Sequence, residues 1–283
     1  MIKKSVKILS ILLLSYLMIS CQTMKLEVSE PESWQEFQNV KGKVAEIIVN
    51  TETYSSETKD TIVQKENQHY FFNNKNKIIK RIDIYNKGIQ PDTTTFSYHK
   101  NLLINSNFNS VNFNSTSYFF YDKNKKLTKR KIKTNNEFVL ENDFKYDRNK
   151  NLTEITSYSI NNKTLQNEKF LIDYKNRMVE ILSFTNNVKD NITLKKYFNK
   201  KGQTKRGEFI YNDEKNKNYS LYSLITYDKA GNIISKNSYY FTGKPYNSSC
   251  YKYTYDKLGN VISSEMTSNN KLFEKSTYQI IYR

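Results

Sequence analysis

Apolar and polar residues alternate along most of this chain in runs of 7 to 12 residues, separated by clusters of Asn, Lys, Asp and Gly. Tyr251, Tyr253 and Tyr255 show the strict period of two, and no segment keeps a 3.6-residue period over helical length. The pattern therefore predicts strands from Val44 onward. The predicted strands cover residues 44–54, 61–72, 78–85, 93–98, 117–121, 127–134, 138–146, 152–160, 165–174, 178–185, 192–198, 205–211, 219–227, 233–241, 249–255, 261–266 and 272–282.

An aromatic residue precedes every second cluster, at intervals of 23 to 29 residues. These nine aromatics are Phe72, Tyr98, Tyr121, Tyr146, Tyr174, Phe198, Tyr227, Tyr255 and Tyr282. A second, looser turn lies between each successive pair, so one period holds two strands and two turns. The predicted fold class is all-β, an antiparallel β-meander of about 16–18 strands built from repeats of about 26 residues.

The turn after these aromatics is best defined at residues 227–234 and 253–262, where Asp-Lys-x-Gly-Asn follows Tyr. Its residues predict a type I turn opened by the Asp side chain, with Gly in the left-handed position of a G1 bulge. Lys125 and Lys150 stand at the glycine position in other copies, where the left-handed conformation costs about 1 kcal/mol. Those two turns are therefore predicted to differ in length or shape.

The motif Tyr-Asp-x-x-Gly-Asn-x-Ile resembles the YD repeat of the RHS family. The likeness is clear at residues 227–234 and 255–262, and partial at Tyr121, Tyr146 and Phe198. It implies a meander that curls into a shell or a spiralling sheet, which in long members encloses a toxin domain or presents an adhesive surface. With about nine repeats, we expect a curved or spiralling open sheet, and only the architecture is carried over.

The first 20 residues have the pattern of a sorting signal. Lys3, Lys4 and Lys7 precede an apolar run over residues 8–19, which is short for a bilayer span of about 20 residues. Met18-Ile19-Ser20-Cys21 then resembles the lipobox of bacterial lipoproteins. We therefore predict a signal peptide over 1–20, lipidation at Cys21 and a place in the bacterial cell envelope. That place is the outer membrane, either its periplasmic face or the cell surface. The alternatives are an uncleaved anchor, or an ordinary signal peptide with a chance Cys.

Residues 21–43 form a predicted acidic tether, with a predicted short helix that begins at Ser29 and carries Trp34, Phe37 and Val40 on one face. The repeat domain then covers residues 44–283. Once Cys21 is lipidated, Cys250 is the only other cysteine, so an intramolecular disulfide is not possible. We interpret Cys250 as a small buried residue of a strand rather than as a reactive thiol.

The formal charge is +17, and removal of the three leader lysines leaves +14. Such an excess favours anionic partners, among them phosphorylated lipid headgroups, acidic polysaccharides and nucleic acid. Nucleic acid does not suit an exported protein. A purely compositional origin is the other explanation, since the chain is rich in Lys, Asn, Ile, Tyr and Phe together and its lysines are scattered over turns and strand faces.

The inventory of reactive groups argues against an enzyme, a cofactor or a metal site. His69 and His99 each stand at a strand end without a second His or Cys nearby, and there is no Gly-x-Ser-x-Gly elbow or glycine-rich phosphate loop. The repeated aspartates follow Tyr and are interpreted as turn initiators. They are Asp122, Asp147, Asp228 and Asp256. A membrane-spanning barrel is also disfavoured, because residues 127–133 place charge on both faces of a strand.

The function predicted from the sequence is a non-enzymatic binding or scaffold module for an envelope glycan or protein. Rows of exposed tyrosine would supply the contact face, because aromatic rings stack on sugars and anchor protein interfaces. The alternative is a periplasmic immunity lipoprotein that intercepts an incoming toxin. A hydrolase on a β scaffold is a third, weaker hypothesis.

Overall fold

The computed structural model describes Phe37 and residues 40–55, 61–85, 90–160 and 163–283. These residues contain eighteen strands and one short 3₁₀ helix, Lys217–Tyr219. The strands are β1 (Val44–Tyr54), β2 (Ile62–Phe72), β3 (Ile78–Ile84), β4 (Asp92–His99), β5 (Leu102–Asn109), β6 (Asn114–Tyr121), β7 (Leu127–Thr134), β8 (Glu137–Tyr146), β9 (Leu152–Ser159), β10 (Thr164–Asp173), β11 (Met178–Thr185), β12 (Val188–Phe198), β13 (Thr204–Tyr211), β14 (Leu221–Tyr227), β15 (Ile233–Tyr240), β16 (Pro245–Tyr255), β17 (Val261–Ser268) and β18 (Lys271–Tyr282).

The sheet closes on itself. Every strand pairs antiparallel with the next, and β1 pairs with both β2 and β18, the latter from Val44↔Tyr282 to Thr53↔Glu274. Closure gives partners to the N–H and C=O groups that two free edges would expose. The protein is therefore an 18-stranded antiparallel β-barrel, and the prediction of an open, spiralling sheet is wrong. The pairing that decides this point joins residues more than 220 positions apart, which no local pattern encodes.

The strand β5 was not among the predicted elements. Its outward positions are Asn105, Asn107 and Asn109, and asparagine is rare in strands and common in turns. The alternate positions Leu103, Ser106 and Phe108 face the same side as Phe96 on the neighbouring strand. Tertiary pairing with β4 and β6 thus overrides the turn preference of the asparagines.

The two faces of the barrel wall differ in how far their side chains are exposed to solvent. Phe119 is 5% exposed, whereas its neighbour Phe120, on the opposite face, is 46% exposed. The face of Phe119 also carries Ile47, Tyr70 and Val179, all nearly inaccessible. A single sheet can bury one face only against the rest of its own ring, so this is the inward face. We call the other the outward face.

The inward face is apolar near one end of the barrel and polar further along. Its main cluster is Val44, Ile47, Val49, Tyr70, Phe72, Ile78, Phe96, Leu103 and Phe119, with Phe37 packed against it. Beyond the cluster lies Asp83, which is 1% exposed and accepts hydrogen bonds from Arg81 Nε at 2.8 and 2.9 Å and from Gln68 Nε2 at 2.9 Å. Burial of this charge is compensated by these charge-assisted bonds.

The outward face carries rows of paired charges at mid-strand. On β7 and β8, Lys129 and Lys131 bind Glu141, and Lys129 Nζ lies 3.2 Å from Asp143 Oδ1. Arg130 points the opposite way and contacts the Phe119 ring. The charges of residues 127–133 thus lie on both faces, as the sequence predicted, and neither face of this strand offers the apolar surface that lipid requires.

The repeated turn has the predicted geometry. Asp228 and Asp256 each accept two backbone N–H groups of their own turn, at 2.7–2.9 Å, and Gly231 and Gly259 have φ of +100° and +83°. The bulge is visible as a register shift at the preceding tyrosine. Lys150 adopts the same conformation, with φ +67° and its N–H bonded to Asp147 O at 3.0 Å, as does Lys125 with φ +64°. The prediction that these two turns differ in shape is wrong, because the bonds to the initiating Asp outweigh the strain.

Replacement of Lys150 by Gly is expected to raise the free energy of unfolding by about 0.5–1 kcal/mol, because it removes left-handed strain from a non-glycine residue. The control is Arg148→Gly in the same turn, where φ is negative and glycine only adds disorder to the unfolded chain. Urea unfolding of both variants measures the difference. An equal loss of stability in the two variants would contradict the assigned conformation.

Candidate functional site at the basic end of the barrel

A meander returns every second connection to the same end of its barrel. The turns that follow the nine spaced aromatics therefore share one end, where the chain also leads into β1 and leaves β18. We call this the basic end. It comprises residues 40–43, 73–77, 100–101, 122–126, 147–151, 174–177, 199–203, 228–232, 256–260 and 283.

Positive charge is concentrated at this end. Its segments contain seventeen basic residues against four aspartates. The basic residues are Lys41, Lys43, Lys75, Lys77, Lys100, Lys123, Lys125, Lys126, Arg148, Lys150, Lys175, Arg177, Lys200, Lys201, Lys229, Lys257 and Arg283. At the opposite end, the described residues of the connections contain four lysines against Asp213 and Glu214. The side-chain charge of the described residues is thus +13 at one end and +2 at the other. Lysines do lie on strand faces, as the sequence suggested, but the lysines of the turns are concentrated at one end.

Tyrosine hydroxyl groups connect successive turns of the basic end. Tyr255 Oη donates to Asp228 Oδ2 at 2.6 Å and accepts from Asn232 Nδ2 at 2.8 Å. Tyr174 makes the same pair of bonds with Asp147 and Asn151, and Tyr282 makes it with Asp256 and Asn260. In other repeats the hydroxyl donates to a backbone carbonyl of the preceding hairpin, as from Tyr98, Tyr121, Tyr146 and Tyr227. These bonds fix the turns, and with them the cations, relative to one another.

The same bonds shift the pKa values of the aspartates. Donation from the Tyr282 hydroxyl, followed by the N–H groups of Asn260 and Leu258, lowers the pKa of Asp256 to about 2. Burial acts to raise the pKa of Asp228, but the Tyr255 hydroxyl and the Asn232 amides outweigh it and the pKa is lowered. Burial and the nearby carboxylate raise the pKa of Tyr255 in turn. Asp228 and Asp256 are therefore ionised at neutral pH and act as hydrogen-bond acceptors within and between the turns.

The barrel is expected to lose stability in acid through these carboxylates. A carboxyl group whose pKa is lower in the folded protein than in the unfolded chain stabilises the fold at pH values above its ordinary pKa. This stabilisation disappears as the pH falls through the pKa of the folded protein. For Asp256 the window runs from 3.8 down to about 2. Thermal melts between pH 6 and pH 2 should show the melting temperatures of the native protein and of Tyr282→Phe converging over this window. A constant difference down to the lower limit would contradict the assignment.

The segment before β1 is held between two turns of the basic end. Lys41 N donates to Asn260 Oδ1 at 2.7 Å, and Asn260 Nδ2 donates to Lys41 O at 3.0 Å. On the other side, Asn76 Nδ2 donates to Gly42 O at 2.6 Å. Phe37 packs edge-on against Tyr70 with ring centroids 4.8 Å apart, which brings it to the inward face. The N-terminal part of the chain therefore joins the barrel at its basic end.

Exposed aliphatic side chains lie among the cations. Ile79, Ile104, Ile234 and Ile262 fall within three residues of the start of the strand after a basic-end turn, and each is 38–40% exposed. Leu258 is 49% exposed at the tip of its turn, directly after Lys257. The basic end is thus amphipathic.

The opposite end has a different surface. Each of its nine connections carries or borders an exposed large apolar side chain, for example Val63, Tyr85, Phe113, Phe138, Ile160, Val188, Tyr219, Phe241 and Phe273. We call these residues the apolar rim. Aromatic rings in such a setting stack on sugars or anchor protein contacts. Of the exposed tyrosines expected from the sequence, Tyr85, Tyr219 and Tyr246 lie at this end and are 42%, 61% and 54% exposed. The tyrosines of the basic end instead form hydrogen bonds to the turns.

The structure places the other residues singled out in the sequence in different environments. Cys21 and the predicted helix around Trp34 lie outside the described residues. Cys250 lies in β16 but is exposed on the outward face, so its interpretation as a buried residue is wrong. His69 Nδ1 lies 2.7 Å from Glu46 Oε1, and His99 is exposed at the end of β4. Among the described residues, no group of three His, Cys, Asp or Glu side chains is placed to hold a metal ion.

The basic end was missed because charge was counted over the whole chain. A signal for it existed in the sequence. In a two-strand repeat, alternate turns must share an end, so a separate sum over the turns after the spaced aromatics would have found the excess. Which strands close the ring around that end was not accessible in this way.

Within the described ranges, no helix has the length and apolarity needed to cross a bilayer. No protein-family model and no curated protein matches this sequence, so the resemblance to the YD repeat of the RHS family is not supported beyond the local turn. The fold is similar to those of several solved proteins.

One of these is a porin-like protein from Bacteroides uniformis ATCC 8492, with 14% identity over 84% of this chain and 96% of that one and a TM-score of 0.43. Another is a porin-like protein from Bacteroides vulgatus ATCC 8482, with 14% identity over 86% and 99% and a TM-score of 0.42. The Photorhabdus luminescens Tc holotoxin pore matches 81% of this chain and 16% of its own, with 7% identity and a TM-score of 0.29. At these scores the likeness does not bear on function.

Proposed function

We propose that this protein is a lipid-anchored cell-envelope barrel that acts as a non-enzymatic binding or scaffold module, with an anionic ligand at its basic end. The segregation of charge among the described residues carries the proposal, +13 at one end against +2 at the other. A purely compositional excess of lysine would be expected at both ends. Clustered cations on a rigid frame raise the local concentration of anions and steer them to that end.

The scaffold part of the proposal is supported by the apolar rim. It places exposed rings such as Tyr219 and Phe241, 61% and 48% exposed, at the end away from the cations. A neutral glycan or a partner protein is the kind of ligand that such a surface fits. The two ends would then bind ligands of different chemistry.

Binding is tested with the chain from residue 21 carrying Cys21→Ser, which contains every strand of the closed barrel. Incubation with envelope fragments of the producing cells should give sedimentation that is lost in about 0.5 M NaCl, where the Debye length is roughly 4 Å. Retention that resists salt would point instead to the apolar rim. A protein that stays in the supernatant at low salt would contradict the proposed function.

The anchor is tested separately in cells. After a wash in about 0.5 M NaCl, which removes electrostatic binding, the native protein should remain with the membranes and Cys21→Ser should be released, because the thiol that carries the lipid is gone. A variant that still fractionates with membranes through detergent-sensitive association would refute lipidation at Cys21.

A further inference from the structure

Resting on the proposed function, we infer that the anionic ligand of the basic end is a surface of phosphorylated lipid headgroups, and that the barrel stands on the membrane by this end. Seventeen cations, the junction with the N-terminal segment and a set of exposed aliphatic side chains lie together at this end. The aliphatic set is Ile79, Ile104, Ile234, Leu258 and Ile262. The three observations are independent of one another, because they concern charge, the path of the chain and exposed apolar side chains.

The charge argument is one of orientation. Lysine near an anionic membrane strengthens binding about fivefold per residue, and the effect vanishes within a Debye length of about 10 Å. An eight-residue strand is roughly 25 Å long, so cations at one end gain nothing when the other end faces the lipid. The barrel is therefore strongly biased to approach an anionic surface by its basic end.

The position of the N-terminal segment agrees with that bias. Lys41, Gly42 and Val44 are bonded to Asn260 and Asn76, so a tether attached through Cys21 pulls on the basic end. An anchor joined to the opposite end would set the two forces against each other. Here the covalent and electrostatic attachments act in the same direction.

The aliphatic side chains distinguish a lipid surface from a dissolved polyanion. Leu258 lies exposed at a turn tip beside Lys257. Ile234 and Ile262 each follow a turn of the basic end, at the start of β15 and of β17. Cations mixed with exposed aliphatic residues are the composition of surfaces that enter the headgroup region. An acidic polysaccharide would use the cations and leave these side chains without a contact.

The test uses phosphatidylcholine vesicles with and without phosphatidylglycerol and the unlipidated chain from residue 21 described above. Binding should require phosphatidylglycerol and should be lost in high salt. The triple variant Lys123→Glu, Lys200→Glu, Lys257→Glu reverses exposed cations of the basic end and should bind about 100-fold more weakly. The matched control Lys163→Glu, Lys215→Glu, Lys244→Glu makes the same change in net charge at the opposite end and should bind within about threefold of the parent. Equal melting temperatures show that both variants are folded.

Orientation is read with a single thiol probe. After Cys250→Ser, an environment-sensitive dye on Lys229→Cys at the basic end should change its emission on vesicles, and a dye on Thr242→Cys at the opposite end should not. Equal weakening by the two triple variants, or equal dye responses, would overturn the inference. Sedimentation with envelope fragments but not with anionic vesicles would also overturn it and assign the ligand to polysaccharide or protein, leaving the proposed function intact. If the protein sediments with neither envelope fragments nor anionic vesicles, both this inference and the proposed function are refuted.

Discussion

Replacement of Phe119 by alanine is expected to lower the free energy of unfolding by about 3–5 kcal/mol. Phe119 is 5% exposed on the inward face and belongs to the main apolar cluster, where Arg130 also covers its ring. Removal of the ring leaves a cavity that a closed wall of paired strands fills poorly. Urea unfolding followed by circular dichroism measures the loss.

Phe120 is the matched control for this experiment. It is the next residue on the same strand, but it is 46% exposed on the outward face. Its replacement by alanine should cost less than about 1 kcal/mol, because little apolar area returns to water. If the two variants lost the same stability, the assignment of the inward face would be wrong, and with it the position of the core.

Replacement of Asp228 by alanine is expected to cost about 2–3 kcal/mol. The carboxylate accepts from Gly231 N at 2.7 Å, from Asn232 N at 2.8 Å and from Tyr255 Oη at 2.6 Å. Asp228→Asn keeps an oxygen for the turn but loses the charge, so we expect an intermediate loss. Tyr255→Phe removes only the bond between hairpins and should cost about 1 kcal/mol.

These aspartates accept hydrogen bonds within their own turn and, in some repeats, from a tyrosine of the next hairpin. A substitution at Asp122 measures the first role alone. It accepts from the N–H groups of Asn124 and Lys126 in its own turn, whereas the next tyrosine, Tyr146, donates to the Leu127 carbonyl instead. Asp122→Ala should therefore cost only the turn bonds, about half of the loss at Asp228. A double-mutant cycle of Asp228 and Tyr255 should give a coupling energy of about 1 kcal/mol. Coupling near zero would show that the hydroxyl bond does not stabilise the barrel.

The strand pattern predicted most of the elements and failed where residue preference and pairing disagree. Seventeen of the eighteen strands follow from alternation, which depends on neighbouring side chains pointing to opposite faces. The strand β5 was missed because Asn105, Asn107 and Asn109 favour turns, and only pairing with β4 and β6 makes them outward residues of a strand. Alternation also placed Cys250 in a strand without showing which face it occupies.

The candidate site was partly predictable. The turns of Asp122, Asp147, Asp228 and Asp256 follow from the preference of Asp and Gly, so their positions were known in advance. The bond from Tyr255 to Asp228 was not, because the two residues belong to different hairpins and meet only when strands pair in register. The anionic ligand, the lipid anchor at Cys21 and the absence of catalysis remain predictions.

The sequence by itself determined the all-β class, the two-strand repeat and the chemistry of each turn, since these depend on residues within a few positions of one another. It also contained the concentration of lysine in alternate turns, although only the meander shows that those turns share an end. The tertiary structure alone decided that β1 pairs with β18, that Phe119 rather than Phe120 faces inward, and that the segment of Lys41 and Gly42 is held between Asn260 and Asn76. These features join residues up to about 240 positions apart, and their free energy comes from closing a ring whose two edges would otherwise lack partners.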